Sequence, residues 1–163
     1  MNIQYRKLLP EESKMYRTVR LESLQQFPES FGVTYEEALK YEKLKMELDI
    51  ENQTRERFVI GAFKGHQLIG ICTFVKDEND IGHIYQMYVK RKFQGNNIGN
   101  GLIHKTIEEA YHQFKDLDIY LEVKKINLSA YSLYKKIGFA EINKPLSYSD
   151  DSVIILKLEK KDH

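Results

Sequence analysis

The chain has 163 residues, 42% of them apolar and 12% aromatic, with 25 Lys+Arg against 24 Asp+Glu. That is enough for one domain with one sizeable core, and too apolar for a disordered chain. A formal charge of +1 supplies no field of one sign, which argues against a nucleic-acid or membrane-surface binder. The single cysteine, Cys72, lies in the apolar run 68–75 and reads as a buried thiol. Without a second cysteine there is no internal disulfide and no support for a metal site. The first residues, MNIQYRKLLPEES, lack the apolar core of a signal peptide. No run nears the roughly 18 apolar residues of a membrane span, so the expectation is a soluble, cytoplasmic protein.

Ile3 to Leu9 alternates weakly, as a first strand does, and Pro10 closes it. Pro10-Glu-Glu-Ser opens a helix to about Gln26, with Met15, Val19 and Leu24 on its inner side. Phe27-Pro-Glu-Ser-Phe-Gly32 interrupts, because Pro28 and Gly32 resist helix continuation. Thr34 followed by Glu37 is a capping-box pattern, and a second, highly charged helix is expected to about residue 50. From Arg57 the period becomes two. Residues 58–63 and 67–76 are rich in β-branched and aromatic side chains, and Gly65-His66 between them suits a type II′ turn. Asp77-Glu-Asn-Asp80 makes the next turn, and 82–89 (GHIYQMYV) is a third strand.

Then comes RKFQGNNIGNGLI (91–103), which runs into the helical stripe Ile98, Leu102, Thr106, Ala110 and Phe114. A strand, a Gly/Asn-rich turn and a helix leave several backbone N–H groups unpaired on one side. With the helix dipole, these groups favour phosphate. There is no Gly-Lys-Ser/Thr of a Walker loop, and Gly95, Gly99 and Gly101 lack the dinucleotide-binding spacing. A polar turn without a ligand stays open from the loop alone. Asn97 stands where such loops place glycine; asparagine tolerates left-handed angles, so Asn97 is expected to hold them. Residues 118–123 read as a strand. Residues 127–137 read as a helix with Ala130, Leu133, Tyr134 and Ile137 inward and Gly138 at its end. Residues 139–142 and 153–158 read as the last strands. An antiparallel run followed by strand–helix–strand, which demands a parallel pair, makes one α/β (α+β) domain over 1–163 with about four helices.

Two motifs in this order resemble the GCN5-related N-acetyltransferase (GNAT) family. The first is the loop pattern Arg/Gln-x-x-Gly-x-Gly/Ala, matched at Gln94 and Gly99 with Asn97 replacing the first glycine. The second is Asn-x-x-Ala-x-x-Leu-Tyr-x-Lys-x-Gly-Phe, matched at Asn127, Ala130, Leu133, Tyr134, Lys136, Gly138 and Phe139. The resemblance implies a mixed central sheet with a splayed parallel pair, and acetyl-CoA (coenzyme A) as the ligand. It implies that the amides of Gly95, Asn96, Asn97, Ile98, Gly99 and Asn100, with the Gln94 side chain, hold the pyrophosphate. Met87, Tyr88 and Val89 would pair with the pantetheine arm, and the N–H of Tyr88 or Val89 would stabilise the oxyanion. Asn127 would bond the pantetheine or cap its own helix, Ala130 would line the cofactor, and Lys136 would lie near it or in solvent.

Periodicity makes Tyr134 a core position; the resemblance makes it the acid for the departing thiolate. Many members carry a glutamate base at the position aligned with Tyr85, and here it is absent. Tyr85, Glu122, His83 or a water chain is left to relay the proton. By the same resemblance Phe27, Phe31, Tyr35, Tyr85 and Tyr148 frame a small-molecule or peptide amine acceptor; the other reading of these aromatics is that they only pin the first two helices. Homodimers are frequent in the family. An acyl-CoA-binding module without turnover is the alternative reading.

Overall fold

Period-two patterning from residue 57 onward builds the antiparallel run expected of it. The computed structural model describes residues 2–27, 33–143 and 151–160. In it β1 (Gln4–Lys7), β2 (Arg57–Lys64), β3 (Gln67–Lys76) and β4 (Ile81–Val89) lie side by side, each antiparallel to the next. Lys64 faces Gln67 across a two-residue turn with φ +60 at Gly65, the first-position glycine that a type II′ turn needs. β5 (Asp118–Lys124) runs parallel to β4, β7 (Val153–Leu158) antiparallel to β5, and β6 (Phe139–Glu141) closes the far edge against β7.

Helices cover both faces. α4 (Ile98–Gln113) links β4 to β5, and α5 (Leu128–Ile137) links β5 to β6. Leu102, Ile103, Ala110 and Tyr134 from these two helices pack with Ile60, Ala62, Phe74 and Ile84 of the sheet. On the other face, Tyr16 and Val19 of α1 (Ser13–Gln26) meet Val59, Ile71 and Tyr88. Met46 and Ile50 of α3 (Lys45–Asn52) complete that layer. Among the described residues no helix is long and apolar enough to cross a membrane.

Two expectations are corrected. The inner face of α1 is Tyr16, Val19, Arg20, Ser23 and Leu24, while Met15 is 37% exposed. Val19 and Leu24 lie inward as expected, and Tyr16 takes the place given to Met15, because the buried stripe also carries polar groups that apolar counting passes over. The charged second helix is two helices, α2 (Tyr35–Leu39) and α3, which brings the total among the described residues to five. Thr34 caps α2 as expected, its Oγ1 accepting from the amide of Glu37 at 3.1 Å. The break after α2 is held from outside by Arg17, which donates to the Tyr41 carbonyl and to Glu47 Oε1, both at 2.8 Å. A tertiary contact overrides the local helical preference.

The irregularities of β4 position everything that follows. The β4–β5 ladder covers only Ile81–Ile84 against Asp118–Leu121, although both strands continue. On the other edge Ile71 faces Tyr88 and Thr73 faces Tyr85, so Cys72 stands opposite two residues, Gln86 and Met87. This is a β-bulge, and Gln86 holds φ +56 within it.

Candidate active site

Where β4 and β5 part, a cleft of about 940 Å³ opens between the strand ends and the N-termini of α4 and α5. Its donor-rich corner is the turn before α4. Asn97 is left-handed, φ 62 and ψ 20, as its sequence context predicts, and caps α4 without a side-chain bond. Gly95 has φ +84, and a Cβ there would meet nothing within 4 Å. No group among the described residues accepts from the amides of Gly95 through Asn100, whereas Gly101 N reaches back to Asn97 O at 3.4 Å. These orphan donors and the positive end of a 16-residue helix together suit an anion.

The side chains of the loop do other work. Asn96 Nδ2 donates to Phe93 O at 3.0 Å and pins the turn from outside the cleft lining. Gln94 lines the cleft, but its Nε2 donates to Val89 O at 2.9 Å, so it clasps the strand end. Gly101 is a packing glycine: a Cβ there would overlap the ring of Tyr5.

The bond from Lys90 N to Ile69 O at 2.8 Å shows that residue 90 points its backbone at β3. Alternation then turns the N–H and C=O of Val89 to the edge that β5 has left. The bond from Gln94 to Val89 O agrees with that direction. Of the two donors considered from sequence, Val89 N–H is the one on the open edge. Met87 and Tyr88 line the cleft beside it. The Tyr88 hydroxyl donates to Glu22 Oε2 at 2.7 Å, and burial and this carboxylate together hold the phenol above its ordinary pKa.

Tyr134 is 7% exposed and lines the cleft, with its ring edge-on to Phe139 at 6.1 Å. No buried side-chain N or O among the described residues lacks a partner, and no bond to the Tyr134 hydroxyl is made within them. The hydroxyl therefore reaches the cleft surface. Burial, with a smaller contribution from Cys72, pushes its pKa well up, so the phenol stays a neutral proton donor. Asn127 takes the capping role, its Oδ1 accepting from Ala130 N at 3.1 Å, and both residues line the cleft. Lys136 does not; it is exposed in the last turn of α5, where it complements the helix dipole.

Of the predicted acceptor residues, Phe27 and Tyr85 line the cleft. Tyr35 begins α2 and is absent from the lining, while Phe31 and Tyr148 lie outside the described residues. Glu122, exposed on β5, lines the cleft near Tyr85. The Tyr85 phenol is raised first by burial and then by the charge of Glu122. Sequence reading missed Arg20, Gln86 and Lys124, which also line the cleft. Arg20 is 7% exposed, and only its spacing of four from Tyr16 hinted at that. Gln86 Oε1 accepts from Tyr16 Oη at 2.7 Å and from Thr73 Oγ1 at 3.1 Å, two bonds that fix the bulge. His83 lies just outside the lining, stacked on Tyr85 with centroids 5.7 Å apart.

A profile of the Acetyltransferase (GNAT) family matches residues 18–139. Among curated proteins, the Spermine/spermidine N(1)-acetyltransferase of Bacillus subtilis is 23% identical over 100 residues, 60% of this chain and 65% of that protein. An N-alpha-acetyltransferase of Sulfolobus acidocaldarius is 33% identical over 61 residues, 37% of this chain and 36% of that one. The matched segments span under two thirds of either relative. Among solved structures, the PaiA N-acetyltransferase from Thermoplasma acidophilum in complex with coenzyme A has a TM-score of 0.76 at 24% identity, over 98% of this chain and 100% of that one. An acetyltransferase of the GNAT family from Streptococcus pneumoniae has a TM-score of 0.74 at 18% identity, over 96% and 98%. These two likenesses show the fold. The profile covers three quarters of the sequence, including both motifs, and on that match the chain belongs to the GNAT family of acetyltransferases.

Proposed function

We propose that the protein transfers the acetyl group of acetyl-CoA to a primary amine of a small molecule or a peptide. One observation carries this reading. A single cleft joins the unpaired amides of Gly95 to Asn100, the open-edge amide of Val89 and the neutral phenol of Tyr134. The residues fit the cofactor, since a pyrophosphate wants several N–H donors and a backbone without a side chain in the way, as at Gly95. When bound, acetyl-CoA supplies an acetyl group activated as a thioester.

The chain supplies the rest. The amides of the turn bind phosphate oxygens, and the free edge of Met87 to Val89 takes an extended arm as an added strand would be taken. Val89 N–H is a fixed donor for negative charge developing on a carbonyl oxygen. Tyr134 Oη keeps its proton in a poorly solvated place and is the acid of the reaction. Phe27, Tyr85 and Glu122 frame the entry for the amine, with aromatic faces and a carboxylate that attract a cation. Tyr85, standing where many family members carry a glutamate, favours a second reading, a CoA-binding module without turnover.

Two measurements decide. Titration with CoA should show binding at micromolar to millimolar concentrations; its absence defeats both readings. A panel of amines and peptides with a free-thiol readout should then show amine-dependent CoA release. Binding without release on any amine leaves only the silent module.

A further inference from the structure

An ammonium must lose a proton before it attacks a carbonyl, so acetyl transfer to an amine needs a base. The side chains next to Tyr85 provide one. His83 and Tyr85 stand two residues apart on β4 and so share a face of the sheet. Their rings are nearly parallel, at 4°, and Tyr85 lines the cleft. His83 Nε2 lies 2.8 Å from Asp77 Oδ2. That carboxylate is itself fixed, because its Oδ1 accepts from Asn79 N at 2.8 Å and Ile81 N at 3.0 Å.

The turn is therefore already held by Oδ1, and the second oxygen is left to orient the imidazole. An ionised carboxylate only accepts, so Nε2 must carry the hydrogen and Nδ1 the lone pair. A carboxylate that fixes a histidine tautomer in this way prepares it to take a proton. We propose that His83, oriented by Asp77, is the general base that deprotonates the acceptor amine through one water beside Tyr85. This assignment rests on the acetyl-transfer reading.

The step balances without a further reagent. The ammonium gives one proton to the bridging water, the water gives one to Nδ1, and the amine keeps the freed lone pair. The imidazolium, paired with Asp77, then returns the proton to solvent through its exposed edge; its side chain is 28% accessible. Other charged and titratable groups face this region from several elements. Tyr120 of β5 stands opposite His83 in the ladder, with Lys157 of β7 over its ring. Glu122 and Arg57 act on Tyr85 from β5 and β2, and Arg57 is paired with Asp49 of α3. Lys76 and Asp80 pair across the turn.

The test is kcat/KM against pH, from 6 to 10, on the full chain with an amine it acetylates, for wild type, His83→Gln and Asp77→Asn. Asp77→Asn keeps an oxygen for the two turn amides but sets an NH2 against Nε2, which moves the histidine proton to Nδ1. Both variants should bind CoA as wild type does and melt near the same temperature. Both should lose roughly 100-fold in kcat/KM near pH 7. The deficit should shrink to a few-fold at about pH 10, where the amine arrives neutral. Added imidazole should restore part of the activity of His83→Ala. Profiles parallel to wild type at every pH, or no response to imidazole, overturn the assignment of His83 alone. A wild type that binds CoA and acetylates no amine overturns the acetyl-transfer reading and this step with it. Should His83→Gln fail to fold, Asp77→Asn carries the same test.

Discussion

From Gly82 to Ile84, β4 is bonded on both edges, to β3 and to β5; from Tyr85 to Val89 it keeps only β3. The first half holds Gly82 and Ile84 in the core, whereas Tyr85 is 45% exposed. Backbone polar groups in the first half are satisfied by neighbouring strands. In the second half one edge is left for a ligand or water to satisfy. The switch is a single inserted residue, Gln86, held at a costly positive φ by Tyr16 and Thr73. One strand thus serves as scaffold and as site, and a tie to α1 marks where the one becomes the other.

A pair of prolines should break that contrast most sharply. Ile84→Pro removes a ladder bond from the doubly paired half and should unfold the domain, costing about 3 kcal/mol or more by chemical denaturation. Val89→Pro removes an N–H that faces the open edge. It should leave a folded protein that binds CoA, with kcat down roughly 100- to 1000-fold. Equal stability loss in the two would show that the halves do not differ.

Tyr134→Phe should lower kcat by about 100-fold while CoA affinity is retained. Burial favours the neutral phenol, so its proton is kept as pH rises through the ordinary tyrosine range near ~10. The wild-type kcat should accordingly show no alkaline fall below about pH 10, and a fall there that vanishes in Tyr134→Phe would contradict the raised pKa.

The bulge itself is probed by stability. Gln86→Gly keeps the positive φ at little strain, whereas Gln86→Ala loses both the ties and the tolerance. Melting should rank wild type above Gly and Gly above Ala, with about 1 kcal/mol between the two variants. The smallest effect is expected at Asn97. Asn97→Gly should leave CoA affinity within about two-fold, while Asn97→Val, a β-branched residue forced to positive φ, should weaken it about ten-fold.

Every one of the seven strands among the described residues was legible, because alternation and turn residues such as Gly65 and Asp77 act locally. The left-handed Asn97 was legible for the same reason, as was the Asn127 cap. The α2–α3 break was not, since Arg17 imposes it across the fold. The parting of β4 from β5 came only with the family resemblance, because nothing in GHIYQMYV marks where pairing stops. Arg20 and Gln86 escaped notice because they are polar groups buried by partners distant in sequence. Lys136 matched the motif, yet it faces solvent.

Cys72, opposite the bulge, is fully buried, and burial pushes its thiol pKa up to about 12. The one native sulfhydryl should therefore be silent toward disulfide reagents while the chain is folded. In the CoA-release assay the enzyme then adds no background of its own. The same reagent counts one equivalent per chain as soon as the sheet opens, which turns Cys72 into a built-in gauge of how much of each variant is unfolded.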